Sequence, residues 1–215
     1  VFNKLSLPSI EFKINYRQEE DKLFLNILDQ IRDGSISGTN LLKLNERINY
    51  IPESDEFIIT LTGHNAVADK INESKLAAIN EQLLVYQAEV SGKFSGDNKP
   101  CEIELKLKKG AQVMFTKNDS QGRWANGTLG QVTEINQDEL QVTLENGNVY
   151  KVEKTKWENM EYNYNPETKS TQQNVIGTIA QYPVKLAWAI TIHKSQGLTF
   201  EKVIIDFRRG VFADG

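Results

Sequence analysis

Apolar residues follow two different spacings along the first part of the chain. In residues 19–38 they recur every three or four positions, which predicts a helix that ends near Gly34. Residues 57–61 are a continuous apolar run, followed by a polar turn and by helical spacing from about Ala66. This order of strand, turn and helix predicts the βα unit of an α/β sheet. Residues 83–92 predict a further strand.

From about Glu102 apolar and polar residues alternate, which indicates strands. Asn146-Gly147 lies between the alternating stretches LQVTL and VYKV, so a tight hairpin is predicted there. Short strands without an intervening helix, over roughly 60 residues, predict a small β-barrel inserted into the α/β domain. The polar and aromatic stretch 157–177 has no period, and we interpret it as a loop that leads out of the barrel.

Apolar residues return after Gly177. Pro183 is incompatible with a helix interior, so Val184 to Trp188 are predicted to form a strand. We expect a short helix from about Ala189 to Gln196 and then a buried strand over residues 202–207.

The composition is that of an ordinary globular protein, with 39% hydrophobic and 25% charged residues. The apolar runs are too short to cross a bilayer, and the sequence does not start with a secretion signal. Cys101 is the single cysteine, which excludes an internal disulfide and a thiolate metal cluster and fits a reducing compartment. We therefore predict a cytoplasmic protein without a membrane partner. The net charge of −4 is weak evidence against a nucleic acid, since the local field along a groove matters more.

Two polar turns follow predicted strands, and each has residues that could bind an anion. Arg17 comes after the run INY, and at a strand end its guanidinium would match phosphate oxygens. A surface ion pair with Glu19, Glu20 or Asp21 is the alternative. Asn65 suits the cap of the predicted helix, or it stands beside helix N-terminal amides that face an anion.

Cations and aromatic residues are interleaved in the predicted barrel; they are Lys108, Lys109, Lys117 and Arg123 with Phe115 and Trp124. Cations that follow phosphates, beside rings on which bases stack, are typical of single-strand binding surfaces. In the alternative interpretation the cations lie on a solvated strand face and both rings lie in the barrel core.

A dense polar cluster follows the last apolar run, comprising Thr191, His193, Lys194, Ser195 and Gln196 and ending at Gly197. Hydroxyl, imidazole and ammonium groups on one turn can hold successive phosphates of an extended strand, and glycine lets backbone approach a ligand closely. A Ser-His catalytic pair is disfavoured, because two residues two positions apart on a helix do not face each other. No metal site is predicted, since the chain has two histidines and neither has a second ligand at helical spacing.

These stretches resemble motifs of one enzyme family. AWAITIHKSQGLTFEKVIID is similar to the fifth motif of superfamily 1 DNA helicases, in the form typical of the RecD-like and Pif-type 5′-to-3′ branch. NYRQ at 15–18 resembles the fourth motif. GHNAVADKIN fits the same branch, and LKKGAQVMFTKND with RWANGTLGQV resembles its inserted SH3-like barrel. The resemblance extends over nearly the whole chain.

The resemblance implies a motor of two RecA-like domains with ATP between them. This chain would be an α/β, RecA-like (P-loop NTPase-type) parallel-sheet domain of residues 1–103 and 178–215, with an SH3-like β-barrel and exit loop inserted at 104–177. Arg17 would reach the γ-phosphate in a catalytic role, and Gln196 and Gly197 would also lie at the nucleotide. The residues implied to bind nucleic acid are Asn65, Thr191, His193, Lys194, Ser195, Lys117 and Arg123.

The sequence departs from a complete motor. It has no G-x-x-x-x-G-K-[ST] phosphate loop and no strand ending in paired acidic residues for Mg²⁺, and the sixth motif would begin just beyond Gly215. We therefore expect a C-terminal portion of an ATP-dependent DNA helicase that uses ATP and Mg²⁺ when intact and is inactive alone. Its expected partners are single-stranded DNA and the missing N-terminal RecA-like domain, in DNA repair or recombination. The alternative is a non-catalytic nucleic-acid-binding or protein-interaction module built on the barrel.

Overall fold

The computed structural model describes residues 22–48, 57–94, 99–165, 169–207 and 210. The chain divides into two compact units, Val1–Ser54 and Asp55–Gly215. Among the described residues, no helix has the length and apolar character needed to span a membrane.

The described part of the first unit is a pair of helices, α1 (Lys22–Arg32) and α2 (Gly38–Asn45). α1 confirms the helix predicted from apolar spacing, and Gly34 follows it with a left-handed φ of 65°. Ser37 precedes α2, and its hydroxyl accepts a hydrogen bond from the Asn40 amide at 3.2 Å.

The second unit contains, in chain order, β1 (Ile59–Thr62), α3 (Asn65–Ala78), β2 (Leu84–Gln87), β3 (Glu89–Gly92), β4 (Glu104–Leu107), β5 (Gln112–Phe115), β6 (Leu129–Ile135), β7 (Leu140–Leu144), β8 (Val149–Val152), β9 (Thr155–Asn165), β10 (Ser170–Gln181), β11 (Val184–Leu186), β12 (Ala189–Thr191), α4 (Ile192–Ser195) and β13 (Val203–Asp206).

A parallel sheet in the order β12-β1-β13 forms the α/β part of this unit. β1 and α3 confirm the predicted strand, turn and helix. Ile59 in β1 is fully buried and packs with Ala187 and Ile190, so the sheet has an apolar core. The fold is therefore mixed α/β with a parallel sheet, as predicted.

An antiparallel sheet in the order β11-β5-β6-β7-β8 is the largest sheet of the described residues. Gly147 has a φ of 83° in the turn between β7 and β8, which confirms the predicted hairpin. The side chains buried in and beside this sheet form the larger core and include Leu105, Leu107, Val113, Phe115, Val132, Leu140 and Val142. In the described residues β11 and β8 are open edges that do not pair with each other, so the sheet does not close into a barrel.

The loop predicted for residues 157–177 is wrong, because this stretch belongs to a long hairpin of β9 and β10. β3 pairs with the base of β10, so the strand predicted at 83–92 is present as β2 and β3. Residues 161–164 and 170–175 are exposed on both faces of the hairpin. A ribbon without a buried face needs no apolar alternation, so the pattern gave no strand signal.

Two expectations near the end of the chain also need correction. Ala189 to Thr191 form strand β12 rather than the first turn of a helix, because they are buried and pair with β1; α4 begins only at Ile192. β13 confirms the strand expected at 202–207, but its Ile204 and Ile205 are 46% and 59% exposed rather than buried. β13 is an edge of the described sheet and pairs there only with β1.

Candidate functional site

The segment Thr191 to Gly197, which we call the 191–197 turn, leaves the carboxyl end of β12 and contains the short helix α4. His193, Lys194 and Gln196 are exposed, whereas Thr191 is buried with 5% of its surface accessible. Ser195 is half-buried, and its hydroxyl donates a hydrogen bond to the Ile192 carbonyl at 2.7 Å. The turn therefore presents an imidazole, an ammonium group and an amide to solvent.

Gly197 ends the turn in a conformation that requires glycine. Its φ is 82°, in the left-handed region that side chains with a Cβ atom disfavour. No heavy atom lies within 4 Å of the position that a Cβ atom would take. The backbone at Gly197 thus faces open space that a ligand can enter.

Asn65 lies at the same edge of the sheet as the 191–197 turn. β1 and β12 are parallel and in register at their ends, with Thr62 beside Thr191. The turn after β1 and the turn after β12 therefore leave the sheet side by side. Asp206 ends β13 beside Thr62, and a cleft of about 460 Å³ at this edge is lined by Gly63, His64 and Asp206 among other residues.

The predicted capping by Asn65 is wrong. Asn65 is the first helical residue of α3 and is exposed, and the residue in the cap position is His64, with φ −132° and ψ 134°. No side-chain hydrogen bond caps this helix. The Thr62 hydroxyl instead donates to the His64 carbonyl at 3.1 Å and so shapes the entry into α3.

Two amide side chains that the sequence analysis did not select hold the strand that leads into the turn. The Asn72 amide of α3 donates to the Ala189 carbonyl and accepts from the Ala189 N–H, each at 2.9 Å. Buried Gln112 donates to the Ile58 and Ala187 carbonyls at 2.9 and 2.8 Å. The sequence did show a polar residue inside each of these elements, Asn72 in α3 and Gln112 in β5. It could not show their hydrogen-bond partners, which are distant in sequence.

Arg123 is engaged by its own loop. Its Nε and Nη2 donate to the two carboxylate oxygens of Asp119 at 2.9 and 2.7 Å, and its guanidinium lies 4.5 Å from the Trp124 ring centroid. Hydrogen bonds from the Arg123 side chain, opposed by burial, hold the pKa of Asp119 well below its ordinary value. The structure thus gives Arg123 a role in loop architecture, and only its remaining surface can meet a strand.

The other cations of the interleaved stretch also have partners within the chain. Lys117 donates to the Lys156 carbonyl at 3.2 Å and lies 5.4 Å from the Trp157 ring centroid. Lys108 donates to the Ile79 carbonyl at 2.7 Å, and Lys109 pairs with Glu134 at 2.8 Å. Lys117 and Lys109 are largely solvent-exposed and can still attract an anion.

Phe115 and Trp124 are core residues, so the interpretation of these rings as a stacking surface for bases is wrong. Phe115 is fully buried and Trp124 is 8% exposed, and the rings stack on each other with centroids 4.3 Å apart. Both belong to the larger hydrophobic core, as the alternative interpretation stated. Because both ring faces are packed against other side chains, no ring face is accessible to a base.

The loop that carries Lys117 and Arg123 is attached to the 191–197 turn. Gly127, at the end of this loop, packs so closely on Leu198 that an added Cβ atom would lie 2.8 Å from the Leu198 side chain. Leu198 itself packs on the core that contains Met114 and Leu129. The structure therefore brings these two predicted site segments together.

Lys185 is a further cation near the turn that the sequence analysis did not select. It is half-buried on β11. Burial lowers the pKa of Lys185, and the positive charge of Lys194 lowers it further, while Glu102 acts in the opposite direction. An anion placed near the two ammonium groups would relieve their repulsion.

Arg17 lies outside the described residues. Within the described ranges, no group of three or more histidine, cysteine, aspartate or glutamate side chains could hold a metal ion.

The chain has curated relatives over most of its length. It is 34% identical over 191 residues to the ATP-dependent DNA helicase Pif1 of Bdellovibrio bacteriovorus, a match covering 86% of this chain and 41% of that protein. It is 32% identical over 208 residues to the ATP-dependent DNA helicase PIF1 of Danio rerio, covering 93% of this chain and 31% of that protein. No family model matches the chain.

Solved structures agree with these matches. Bacteroides sp Pif1 in complex with ADP-AlF4 has a TM-score of 0.78 and 36% identity, covering 89% of this chain and 44% of that one. Bacteroides Pif1 bound to ssDNA has a TM-score of 0.68 and 36% identity, covering 91% of this chain and 45% of that one.

Fold and sequence thus agree that the homologues of this chain are DNA helicases of superfamily 1. Within that superfamily they are Pif1 helicases, which confirms the resemblance to the Pif-type branch. The chain spans less than half the length of the relatives described above.

Proposed function

We propose that this chain is part of an ATP-dependent DNA helicase and contributes to its single-strand groove. It supplies the second RecA-like domain, residues 1–103 and 178–215, with residues 104–177 inserted as an SH3-like element. The identity to Pif1 helicases and the parallel sheet support the first assignment. The five short antiparallel strands with their tight hairpin support the second. Unwinding in the 5′-to-3′ direction and a cytoplasmic location belong to the same proposal.

The observation that carries the proposal is the exposed polar turn at the carboxyl edge of the parallel sheet. His193 and Lys194 point to solvent there, and Ser195 is partly accessible, so they can contact successive phosphates of one strand. Asn65 stands at the neighbouring strand end. Thr191 is buried, so its contribution is to shape the turn and to offer the strand only the small accessible part of its surface.

The loop of Lys117 and Arg123 extends this surface. Gly127 joins the loop to Leu198, directly after the turn, so a strand that crosses the turn meets the loop next. Lys117 is the exposed cation of the two, and Arg123 offers only the part that Asp119 does not engage. Lys185 adds positive charge close to Lys194.

We place the nucleotide at Gly197 and Gln196, and we assign Arg17 a catalytic role in ATP hydrolysis from its resemblance to the fourth helicase motif. The open space beside Gly197 and the exposed amide of Gln196 fit a phosphate group. ATP bound with Mg²⁺ would supply the free energy of unwinding. The sequence has neither a phosphate loop nor a paired acidic strand end, so this chain alone is not expected to hydrolyse ATP.

Titration with fluorescent single-stranded DNA at two salt concentrations tests the proposal. The affinity should fall as salt rises, because cations that contact phosphates release counterions. The substitutions His193→Ala and Lys194→Ala together should weaken binding. They should also reduce the slope of log affinity against log salt concentration by roughly one, the value for the loss of one phosphate contact.

Lys151→Ala is the matched control, since it removes one positive charge from β8, the far edge strand of the antiparallel sheet. It should leave the affinity nearly unchanged. Binding that does not respond to salt, or no binding, would favour a protein-interaction module instead.

A further inference from the structure

The side chain of Lys185 lies on the face of β11 that is turned toward the 191–197 turn. Its two neighbours along the strand pack on the larger core, so the alternation of a strand places Lys185 on the opposite face. Its partner in register is Met114, which is 2% exposed and belongs to the smaller core. Ile190 and Leu198, which flank the turn, pack in that same core. The fold therefore places Lys185 beside both ends of the turn.

Three further charged side chains converge near Lys185 from other elements. Lys194 lies on α4 within the 191–197 turn, and its charge acts on Lys185. Glu102 lies two residues before β4, and its backbone carbonyl accepts a hydrogen bond from the buried Gln181 amide at 3.4 Å. The Glu102 carboxylate acts on both ammonium groups, and Asp69 of α3 acts on Glu102. Four elements thus bring two ammonium groups and two carboxylates together beside the turn.

The ammonium group of Lys185 has no close partner in the part of the chain that the structure describes. It makes neither a hydrogen bond nor an ion pair there. Burial lowers the pKa of Lys185, and the charge of Lys194 lowers it further. A half-buried ammonium group with unused donors, close to a like charge, is unfavourable unless an anion binds to it. The surroundings of Lys185 therefore suit an anionic ligand.

Glu102 supplies a negative charge at this place without forming an ion pair with Lys185. The residue is exposed, yet the protein atoms around its carboxylate raise the pKa of Glu102, and the charges of Lys185 and Lys194 oppose this rise. A carboxylate that is open to solvent and still desolvated lies in a concave part of the surface. A phosphate that enters there meets the same two ammonium groups and is repelled by the carboxylate. Phosphate and Glu102 therefore compete for the two lysines.

We propose that Lys185 and Lys194 together hold one phosphate of the bound strand, and that Glu102 is an internal competitor that weakens this contact. The inference rests on the proposed function, because the strand must cross the 191–197 turn to reach Lys185. The ligand is the backbone phosphate of a single strand, so no base preference is expected. A motor that moves along a strand must release each phosphate, and the resident carboxylate favours that release.

Titration of the full chain with single-stranded DNA tests the phosphate contact. Lys185→Met keeps the length of the side chain and removes its charge, so it should weaken binding roughly tenfold and lower the salt dependence. Lys151→Met is the matched control, because it removes one positive charge from the other edge strand of the same sheet. It should leave the affinity nearly unchanged. Urea unfolding should show that Lys185→Met is at least as stable as the wild type, since a desolvated charge is removed.

Glu102→Gln tests the competition. The amide keeps the shape of the carboxylate and removes its charge, so binding should tighten roughly threefold or more at low salt. Glu104→Gln is the control, because the Glu104 carboxylate is engaged by Lys106 at 2.8 Å. In the Lys185→Met background the gain from Glu102→Gln should be smaller, since one of the two ammonium groups for which the carboxylate competes is gone.

Neutral linkages in the DNA locate the contact. In a series of oligonucleotides, each carries one methylphosphonate in place of a phosphate at a different position. One position should weaken the binding of the wild-type chain and have a much smaller effect on Lys185→Met, because the charge that this phosphate contacts has already been removed. Equal effects on both proteins at every position would mean that Lys185 does not contact the strand.

The outcomes distinguish this inference from the proposed function. Wild-type affinity and salt dependence in Lys185→Met, together with weaker binding by His193→Ala with Lys194→Ala, would overturn the inference and leave the proposed function in place. Absence of salt-dependent binding by the wild-type chain would overturn both. Unchanged or weaker binding by Glu102→Gln would reject the competitor. If Lys185→Met lost affinity for a fluorescent ATP analogue and kept its affinity for DNA, the cluster would belong to the nucleotide and the inference would be rejected.

Discussion

The carboxylate of Asp119 organises the loop between β5 and β6. Its oxygens accept hydrogen bonds from the Gln121 and Arg123 backbone amides at 2.9 and 3.1 Å, and from the Arg123 side chain. Its side chain is 6% exposed, so these donors replace water. Because this loop also holds Lys117 and Gly127, one residue sets the position of a whole section of the proposed groove.

Asp119 makes the stability of the chain sensitive to acid. Its pKa lies below the ordinary value of 3.8, so its stabilising contribution is complete above that pH and is lost as the pH falls toward the folded-state pKa. Asp119→Asn should therefore be less stable than the wild type above about pH 5, and the difference should shrink below about pH 4. Urea unfolding of both proteins between about pH 6 and about pH 2.5 measures this difference in the free energy of unfolding. A difference that stayed constant over this range would contradict the role of the carboxylate.

At the scale of elements, α3 holds the first residue of β12 in place. The Asn72 side chain bonds both backbone groups of Ala189, two residues before Thr191. Gln112 of β5 holds Ala187 from the other side. The 191–197 turn is thus positioned by one helix and one antiparallel strand that are far apart in sequence.

Asn72→Ala should lower the free energy of unfolding by about 1–3 kcal/mol, because it leaves the N–H and C=O groups of Ala189 without these partners. It should also weaken single-strand binding, since the turn after β12 loses its support. Glu73→Ala, at the exposed neighbouring position of the same helix, should change stability by less than about 0.5 kcal/mol. Chemical denaturation and DNA titration of both variants check this, and equal effects of the two would argue against Asn72 as a positioning residue.

The elements that were predictable from sequence have local signals. α1 and α3 have apolar residues at helical spacing, β1 lies in a continuous apolar run, and the hairpin at Gly147 has its turn residues in the sequence. β9 and β10 were missed because neither face of their outer half is buried. β12 has three residues, too few to show a period, and its strand character comes from pairing with β1.

In the candidate site too, features with a local sequence signal were predictable and features that depend on distant contacts were not. The 191–197 turn was found because its polar residues interrupt an apolar pattern. Phe115 and Trp124 are buried and stack on each other in the core. The sequence could not show this, because the spacing of cations and rings fitted both a base-stacking surface and a buried core. Asn72, Gln112 and Lys185 act through contacts with residues distant in sequence, so the local pattern could not select them.

For the whole molecule, the proposal assigns different steps to two groups of residues. Arg17 would act at the nucleotide, whereas His193 and Lys194 would act at the strand. Gly197 ends the turn that carries both of the latter, so in the proposal the nucleotide and the strand would bind only a few residues apart along the chain. A substitution at Arg17 should therefore affect ATP hydrolysis first, and substitutions at His193 and Lys194 should affect DNA binding first.

The two steps can be measured separately in the longer helicase polypeptide that the proposal implies. Arg17→Ala should lower the ATPase rate by roughly a hundredfold or more, because a guanidinium at the γ-phosphate stabilises the charge of the transition state. The affinity for single-stranded DNA should change little. His193→Ala with Lys194→Ala should instead weaken DNA binding and DNA stimulation more than basal hydrolysis, since phosphate contacts hold the strand and do not touch the nucleotide. Steady-state ATPase assays with and without DNA, together with DNA titrations, compare both variants. Wild-type hydrolysis in Arg17→Ala would remove the catalytic role of Arg17, and a collapse of basal hydrolysis in the double variant would mean that the two sites are exchanged.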